Sequence, residues 1–165
     1  AGILSEAKGI EELISAWISS DMSGLLLKVI GEGPLIKTIK EKFTSSDVKF
    51  LGHVSHEDTL EYIRNARAVI TATKMYEGQP RLLCEASSYG VPSIYPSFGG
   101  MDEYFPEDYG LSFKQYDYAD LEKKISKLNN NKLMKNESNR VFNHISKKLN
   151  EDVLINNLQK IIENN

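Results

Sequence analysis

The sequence has a single cysteine, Cys84, among its 165 residues. A lone cysteine excludes an internal disulfide framework and a cysteine-based zinc site. Basic charge is also short, since 20 Lys and Arg against 23 Asp and Glu leave a net charge of −3. That balance lacks the basic footprint of a nucleic-acid binder, so no nucleic-acid partner is expected. No apolar run approaches the roughly 18 residues that a membrane span needs. The opening, AGILSEAKG, has no basic segment followed by a long apolar one, and does not read as a signal peptide. What is there is ordinary globular composition, 41% hydrophobic and 26% charged, at a length that fits one domain.

Apolar residues alternate between helical and strand periods along the chain. From Lys8 to Asp21, Leu13, Ile14, Trp17 and Ile18 fall at helical spacing. Leu25–Ile30 is a short apolar run ending in the turn Gly31-Glu32-Gly33-Pro34, and reads as a buried strand. Pro34 then starts a helix to about Phe43, with Leu35, Ile36 and Ile39 inward. Val48–Leu51 is a brief strand. Ser55 caps a helix to Ala66, with Asp58 as its capping-box partner. Arg67–Thr73 is the next strand. Pro80 opens a helix to about Tyr89 that Gly90 closes. Strands at Pro92–Tyr95 and Leu111–Phe113 follow, with a helical turn near Met101–Phe105 between them and a helix over Tyr118–Leu128 after them. Short strands, apolar on both faces, alternating with helices predict a doubly wound, parallel α/β sheet. Asn129–Asn131 reads as a linker. The tail from about Asn136 to Glu163 reads as one bent or two consecutive helices, carrying Phe142, Ile145, Leu149, Val153, Leu154, Leu158, Ile161 and Ile162 as apolar positions.

In such a sheet, ligands sit outside the carboxyl ends of the strands. Four loops rich in glycine, proline or small polar residues lie there: Ser5–Gly9, Gly31–Pro34, Lys74–Pro80 and Pro96–Gly100. Turns alone call for such residues. The third loop offers more. Glu77 stands before the helix and Glu85 inside it, next to Leu82, Leu83 and Ala86. A carboxylate among apolar helix positions is costly unless something satisfies it, and a pair of donated hydroxyls would do so. The helix start near Gly78–Leu82 presents free N–H groups and a positive dipole end, a seat for a phosphate.

The segment Glu77-Gly78-Gln79-Pro80-Arg81-Leu82-Leu83-Cys84-Glu85-Ala86, followed by Tyr89-Gly90-Val91-Pro92, resembles the Glu-x7-Glu signature of retaining nucleotide-sugar glycosyltransferases of the GT-B architecture, which have two Rossmann-like domains. The likeness continues in order: Lys8-Gly9 is similar to the family's first phosphate-contacting loop, Gly31-Glu32-Gly33-Pro34 to its Gly-x-Gly-Pro turn, Phe50-Leu51-Gly52-His53-Val54 to its next strand end, and Gly99-Gly100 with Glu103 to its later loop. The resemblance implies a nucleotide-sugar-binding Rossmann-like domain over 1–130 and a helical tail over 131–165, packing on it or on an absent N-terminal domain. It implies that Glu85 accepts the ribose hydroxyls and that Glu77, the catalytic candidate, faces the transferred sugar. Donor binding would draw on Lys8, Gly31, Gly33, Gly78, Gln79, Arg81 and Leu82, with His53 and Val54 lining the base pocket. The co-substrate would be a UDP- or GDP-type sugar, with no metal and no other cofactor required; no Asp-x-Asp is present. The acceptor, a glycan or lipid, would be held by the absent domain, and the setting would be bacterial polysaccharide or glycolipid synthesis in the cytoplasm, with peripheral contact at the inner membrane face left open.

One position departs from the pattern. The family's Gly-Arg-Leu run is Gly2-Ile3-Leu4 here, so one phosphate cation is missing, and Arg81 is the candidate to replace it. His53 and His56 lie three apart beside Glu57 and Asp58, a spacing read as a turn with surface polar residues and not as a metal site. Cys84 is read as a small core residue. Ala1–Leu4 reads as the end of a strand, so the chain is expected to be half of a larger enzyme, folding yet transferring no sugar alone. A nucleotide- or sugar-binding module without catalysis and a GT-B epimerase remain as alternatives.

Overall fold

The computed structural model describes residues 1–20, 22, 24–155 and 159. Leu158, Ile161 and Ile162, read above as apolar tail positions, and Asp21 lie outside the described residues.

Two parallel ladders carry the fold. In the first, β1 (Leu27–Ile30) pairs with β2 (Val48–Gly52), Leu27 opposite Val48. In the second, β3 (Val69–Ile70), β4 (Ser93–Ser97) and β5 (Ser112–Lys114) run in the order β3-β4-β5, Val69 opposite Ser93 and Tyr95 opposite Ser112. The helices are α1 (Ile10–Ser19) ahead of β1, then α2 (Ile36–Lys42), α3 (His56–Arg64), α4 (Arg81–Ser88), α5 (Tyr118–Ser126) and α6 (Asn131–Lys148) between and after the strands. This is the parallel α/β class expected from the alternation, but the single sheet divides in two: β1 and β3 share no hydrogen bond. The strand read over Arg67–Thr73 shrinks to Val69–Ile70 for the same reason. With a partner on one side only, its ladder ends early, and the chain turns at Lys74, whose N–H donates to the Ala7 carbonyl at 2.8 Å.

Local signals set the helix ends. Ser55 Oγ accepts the Asp58 N–H at 3.1 Å and starts α3, as the capping pattern predicts. Gly90 closes α4 at φ 68°, a left-handed conformation that glycine adopts without strain. The asparagine cluster behaves differently from the linker reading. Lys127–Asn129 is a single 3-10 turn, and Asn130 caps α6 by accepting the Leu133 N–H at 3.0 Å. Asparagine is a strong N-cap, so helix resumes at Asn131 and not at Asn136.

The β3-β4-β5 half holds the densest core. β4 is buried along Ser93–Pro96. The Tyr95 and Phe105 rings stack at 4.3 Å, and Tyr109 stacks next to them at 4.7 Å from Phe105. Tyr109 Oη accepts the Ser93 N–H and donates to the Ser93 carbonyl, both at 2.8 Å. Burial pushes both the Tyr95 and Tyr109 hydroxyls well above the usual tyrosine range. Against this half, α6 seats Met134, Val141 and Ile145 on α4, with Phe142, Val153 and Leu154 exposed. Glu137 of α6 is buried and held by Arg140 at 2.9 Å, whose other nitrogen donates to the Glu107 carbonyl at 2.6 Å. Leu13, Ile14 and Trp17 of α1, which lies against α5, are buried as the periodicity predicts, whereas Ile18 is exposed.

Candidate functional site

A cavity of about 310 Å³ lies at the carboxyl ends of β1 and β3, where the switch between the ladders opens a crevice. Five residues named from the sequence line it together: Lys8, Glu77, Gln79, Arg81 and Leu82. They come from distant parts of the chain. Lys8 ends the 3-10 turn Glu6–Lys8 ahead of α1, and that turn is tied to the third loop by the bond from Lys74 to Ala7. Gly9 closes the turn at φ 61°, and its Cβ position is occupied by the Ala72 backbone, so only glycine lets α1 start against the end of β3.

Lys8 Nζ donates to Glu77 Oε1 at 2.5 Å, both side chains being part-buried. The pair holds a cation and a carboxylate at the cavity wall, and Glu77 Oε2 meets no protein donor among the described residues. The loop around Glu77 is fixed from behind. The Gly100 N–H donates to the Glu77 carbonyl at 2.9 Å, and a Cβ at Gly100 would meet the Gly78 carbonyl at 2.6 Å. Gly99, where a Cβ would lie 3.0 Å from the Glu77 carbonyl, and Gly100 therefore let the fourth loop lie against the third.

α4 begins at Arg81. The Leu83 and Cys84 N–H groups turn back to the Pro80 carbonyl at 2.9 and 3.0 Å, which leaves the Arg81 and Leu82 N–H groups without a backbone acceptor among the described residues. These free donors sit at the positive end of the helix, on the cavity wall. One turn on, Glu85 is part-buried. Arg81 Nε donates to its Oε1 at 2.8 Å, and His56 Nε2 lies 3.7 Å from the same oxygen, with Arg81 and His56 in contact at 3.0 Å. Both contacts use Oε1, so Oε2 stays open to a hydroxyl donor. Arg81 thus points to Glu85 and His56, and Ile3 is 65% exposed where the family pattern has arginine. Cys84, next to Glu85, is buried and its thiol is pushed up to about 11 by desolvation, which keeps it protonated and inert at neutral pH.

Other named residues lie apart from this wall. Gly31 and Gly33 hold the chain at Gly2–Leu4: a Cβ at either would strike the Gly2 or Leu4 backbone, and the Leu4 N–H donates to the Glu32 carbonyl at 2.9 Å. His53 is exposed and Val54 half-buried on the β2–α3 loop, outside the cavity lining, and Gly78 lies behind it against Gly100. Three contributors were not singled out from the sequence as site residues. Thr71 and Thr73 line the cavity from the end of β3, and the rule that ligands gather at strand carboxyl ends points to them. The spacing of His56 from His53 speaks only to a metal site; its place directly after the Ser55 cap puts it at the amino end of α3, near Glu85 of α4. Among the described residues no three His, Cys, Asp or Glu side chains cluster as a metal-ligand set, and no helix is long and apolar enough to cross a membrane.

The chain is 29% identical over 97 residues to the amylovoran biosynthesis glycosyltransferase AmsD of Erwinia amylovora, an alignment covering 56% of this chain and 27% of that protein. The chain thus spans about a quarter of the length of the curated relative it matches. Among solved structures, Anabaena Alr3699/HepE in complex with UDP superposes with a TM-score of 0.84 at 17% identity, over 99% of this chain and 48% of that one. The catalytic domain of the Helicobacter pylori cholesterol-α-glucosyltransferase superposes with a TM-score of 0.77 at 22% identity, over 90% and 94% of the two chains. TarM of S. aureus, solved with UDP, gives 0.80 at 18% identity, over 96% of this chain and 34% of that one. These neighbours share the GT-B glycosyltransferase fold. The family model described as "Glycosyl transferases group 1" matches residues 1–149, and the chain belongs to that family.

Proposed function

We propose that this chain is the donor-binding half of a retaining glycosyltransferase that moves a sugar from a nucleoside-diphosphate sugar, of the UDP type, to an acceptor. The observation that carries the reading is the meeting of Lys8, Glu77 and the free N–H groups of α4 on one cavity wall. Breaking the bond between the anomeric carbon and the diphosphate leaves the electron pair on a phosphate oxygen. An ammonium and a helix amino end aimed there oppose that charge as it develops, which lowers the barrier without a metal ion. The acceptor hydroxyl oxygen bonds to the anomeric carbon, and its proton passes to the phosphate oxygen that departs.

In this reading Glu85 accepts the ribose hydroxyls on Oε2, while Arg81 holds Oε1 through Nε and is itself steadied by donating to His56 Nε2. Glu77 accepts sugar hydroxyls on the oxygen that Lys8 leaves free. Solved neighbours were crystallised with UDP and with UDP-glucose, which supports a uridine donor. The acceptor, a glycan or lipid, is held by a further domain preceding this one, and the setting is bacterial surface-polysaccharide or glycolipid synthesis on the cytoplasmic side, with peripheral membrane contact through that domain. AmsD, an amylovoran biosynthesis enzyme, supports the polysaccharide setting.

Calorimetric titration with UDP, GDP and their sugars tests the reading. UDP is expected to bind without added metal, and Glu85→Ala to weaken it about tenfold, the loss of roughly one charge-assisted hydrogen bond. Absence of binding by any nucleoside diphosphate would refute the donor site, and unchanged affinity in Glu85→Ala would refute the ribose role.

A further inference from the structure

Glu85 is the carboxylate that accepts the ribose hydroxyls in the donor-binding reading, and one of its oxygens is already engaged. Arg81 Nε, one turn back along α4, donates to Oε1 at 2.8 Å. An exposed pair at i, i+4 holds little by itself, and the Arg81 side chain is 75% exposed. A second anchor, on another helix, fixes the guanidinium. Arg81 Nη2 lies 3.0 Å from His56 Nε2. A guanidinium donates and never accepts, so the ring nitrogen is the acceptor. His56 is therefore neutral in this arrangement and carries its one ring proton on Nδ1. The same Nε2 is 3.7 Å from Glu85 Oε1, too far for a hydrogen bond and with no proton to give.

His56 is placed firmly enough to serve as an anchor. It is the first residue of α3, whose start is fixed by the bond from the Asp58 N–H to Ser55 Oγ at 3.1 Å. At the far end of that helix Arg64 Nη2 donates to Tyr89 Oη at 3.1 Å, just past the end of α4. The two helices are thus pinned together twice, through His56 with Arg81 and through Arg64 with Tyr89. From α4 the ring meets Arg81 and Glu85. On its own helix Asp58 is engaged by Ser55 Oγ at 2.7 Å and Glu57 makes no ion pair among the described residues. His53 is exposed on the preceding loop, and Lys28 of β1 meets α3 at the Tyr62 ring. We propose that His56 is a positioning residue for the ribose contact: it sets the Arg81 fork, and Arg81 in turn holds Glu85 so that Oε2 is presented to the sugar hydroxyls. This deepens the donor-binding reading and rests on it. A protonated ring cannot fill the role. Its Nε2–H would point at a guanidinium N–H, and the nearest carboxylate oxygen is Glu85 Oε1, the one Arg81 holds. Protonation therefore takes the clamp apart.

UDP and 2′,3′-dideoxy-UDP differ only in the hydroxyls that Glu85 accepts. The ratio of their dissociation constants reads that contact, while fold, phosphates and overall charge cancel. Titration at pH 8 without added metal should give a ratio of about ten in the parent chain. His56→Ala should lower the ratio about threefold through lost pre-organisation. His56→Gln, whose amide oxygen accepts from Arg81, should keep the parent's ratio. In acid strong enough that the imidazole spectrum shows both His56 nitrogens protonated, the parent's ratio should fall to that of His56→Ala, and His56→Gln should not respond. Long-range 1H–15N spectra at pH 8 should place the His56 proton on Nδ1, opposite to the form that free histidine favours, and Arg81→Ala should move it to Nε2. An unchanged ratio in His56→Ala, an equal loss in His56→Gln, or a proton on Nε2 in the parent would each overturn the positioning role and leave the donor site standing. A parent that binds UDP with a ratio of one would overturn the ribose role of Glu85 and this proposal together. A parent that binds no UDP would overturn the donor reading and the proposal with it.

Discussion

The β3-β4-β5 half and the β1-β2 half are built from the same kind of unit and are packed very differently. In the first, β4 has a partner on each side, and Tyr95, Ile94 and Phe113 are all but inaccessible. In the second, β2 is only half-buried beyond Val48, and Leu26, just ahead of β1, is 45% exposed. The difference teaches that strand burial here follows neighbours more than hydrophobicity. Leu25–Ile30 is as apolar a run as the chain contains, yet with a partner on one side only it packs less completely than Ser93–Pro96.

Truncations should expose this contrast most strongly. Phe113→Ala in β5 is expected to cost about 3–5 kcal/mol of unfolding free energy, and Phe50→Ala in half-buried β2 only about 1 kcal/mol. Urea midpoints of the two variants measure it; equal losses would break the comparison. The anchor of α6 on the well-packed half comes next. Arg140→Ala leaves Glu137 buried without its partner and should cost about 2 kcal/mol, while the double change with Glu137→Leu should recover most of it. Ser55→Ala removes the cap of α3 in the open half and should cost about 1 kcal/mol, read by the same denaturation.

The smallest expected effect depends on pH. The Cys84 thiol holds its proton more tightly folded than unfolded, with the pKa raised from 9.0 to about 11. Its contribution to stability is therefore complete below about pH 9 and is lost as pH climbs toward 11. Tyr95 and Tyr109, also raised by burial, act in the same direction at higher pH. Thermal midpoints measured across pH 8–11 should fall, and Cys84→Ala should flatten the first part of that fall slightly. A midpoint that rose with pH would contradict the burial of these groups.

Much of the candidate site was legible because its signals are local. Pro80 and the following apolar run mark the start of α4, and a helix start exposes N–H groups whatever surrounds it. Glu85 among Leu82, Leu83 and Ala86 is a local anomaly that a reader can notice. The contact from Lys8 to Glu77 joins residues 69 apart, and no spacing rule reports it; only the family resemblance pointed to both residues at one ligand. Arg81 and Glu85 stand at i, i+4 on α4, a spacing that itself brings them together. The approach of His56 to both was not legible, because it depends on how α3 lies against α4, which side-chain packing decides.

By itself the sequence determined the element types, the parallel α/β class, the caps at Ser55 and Gly90 and the α4 start, because periodicity, turn chemistry and capping act within a few residues. Only the tertiary structure decided that β1-β2 and β3-β4-β5 form two separate ladders, that Asn130 caps a helix where a linker was expected, and that Lys8 meets Glu77. Those outcomes turn on which backbone edges find partners and which side chains close a cavity, and both are settled between segments distant in the chain.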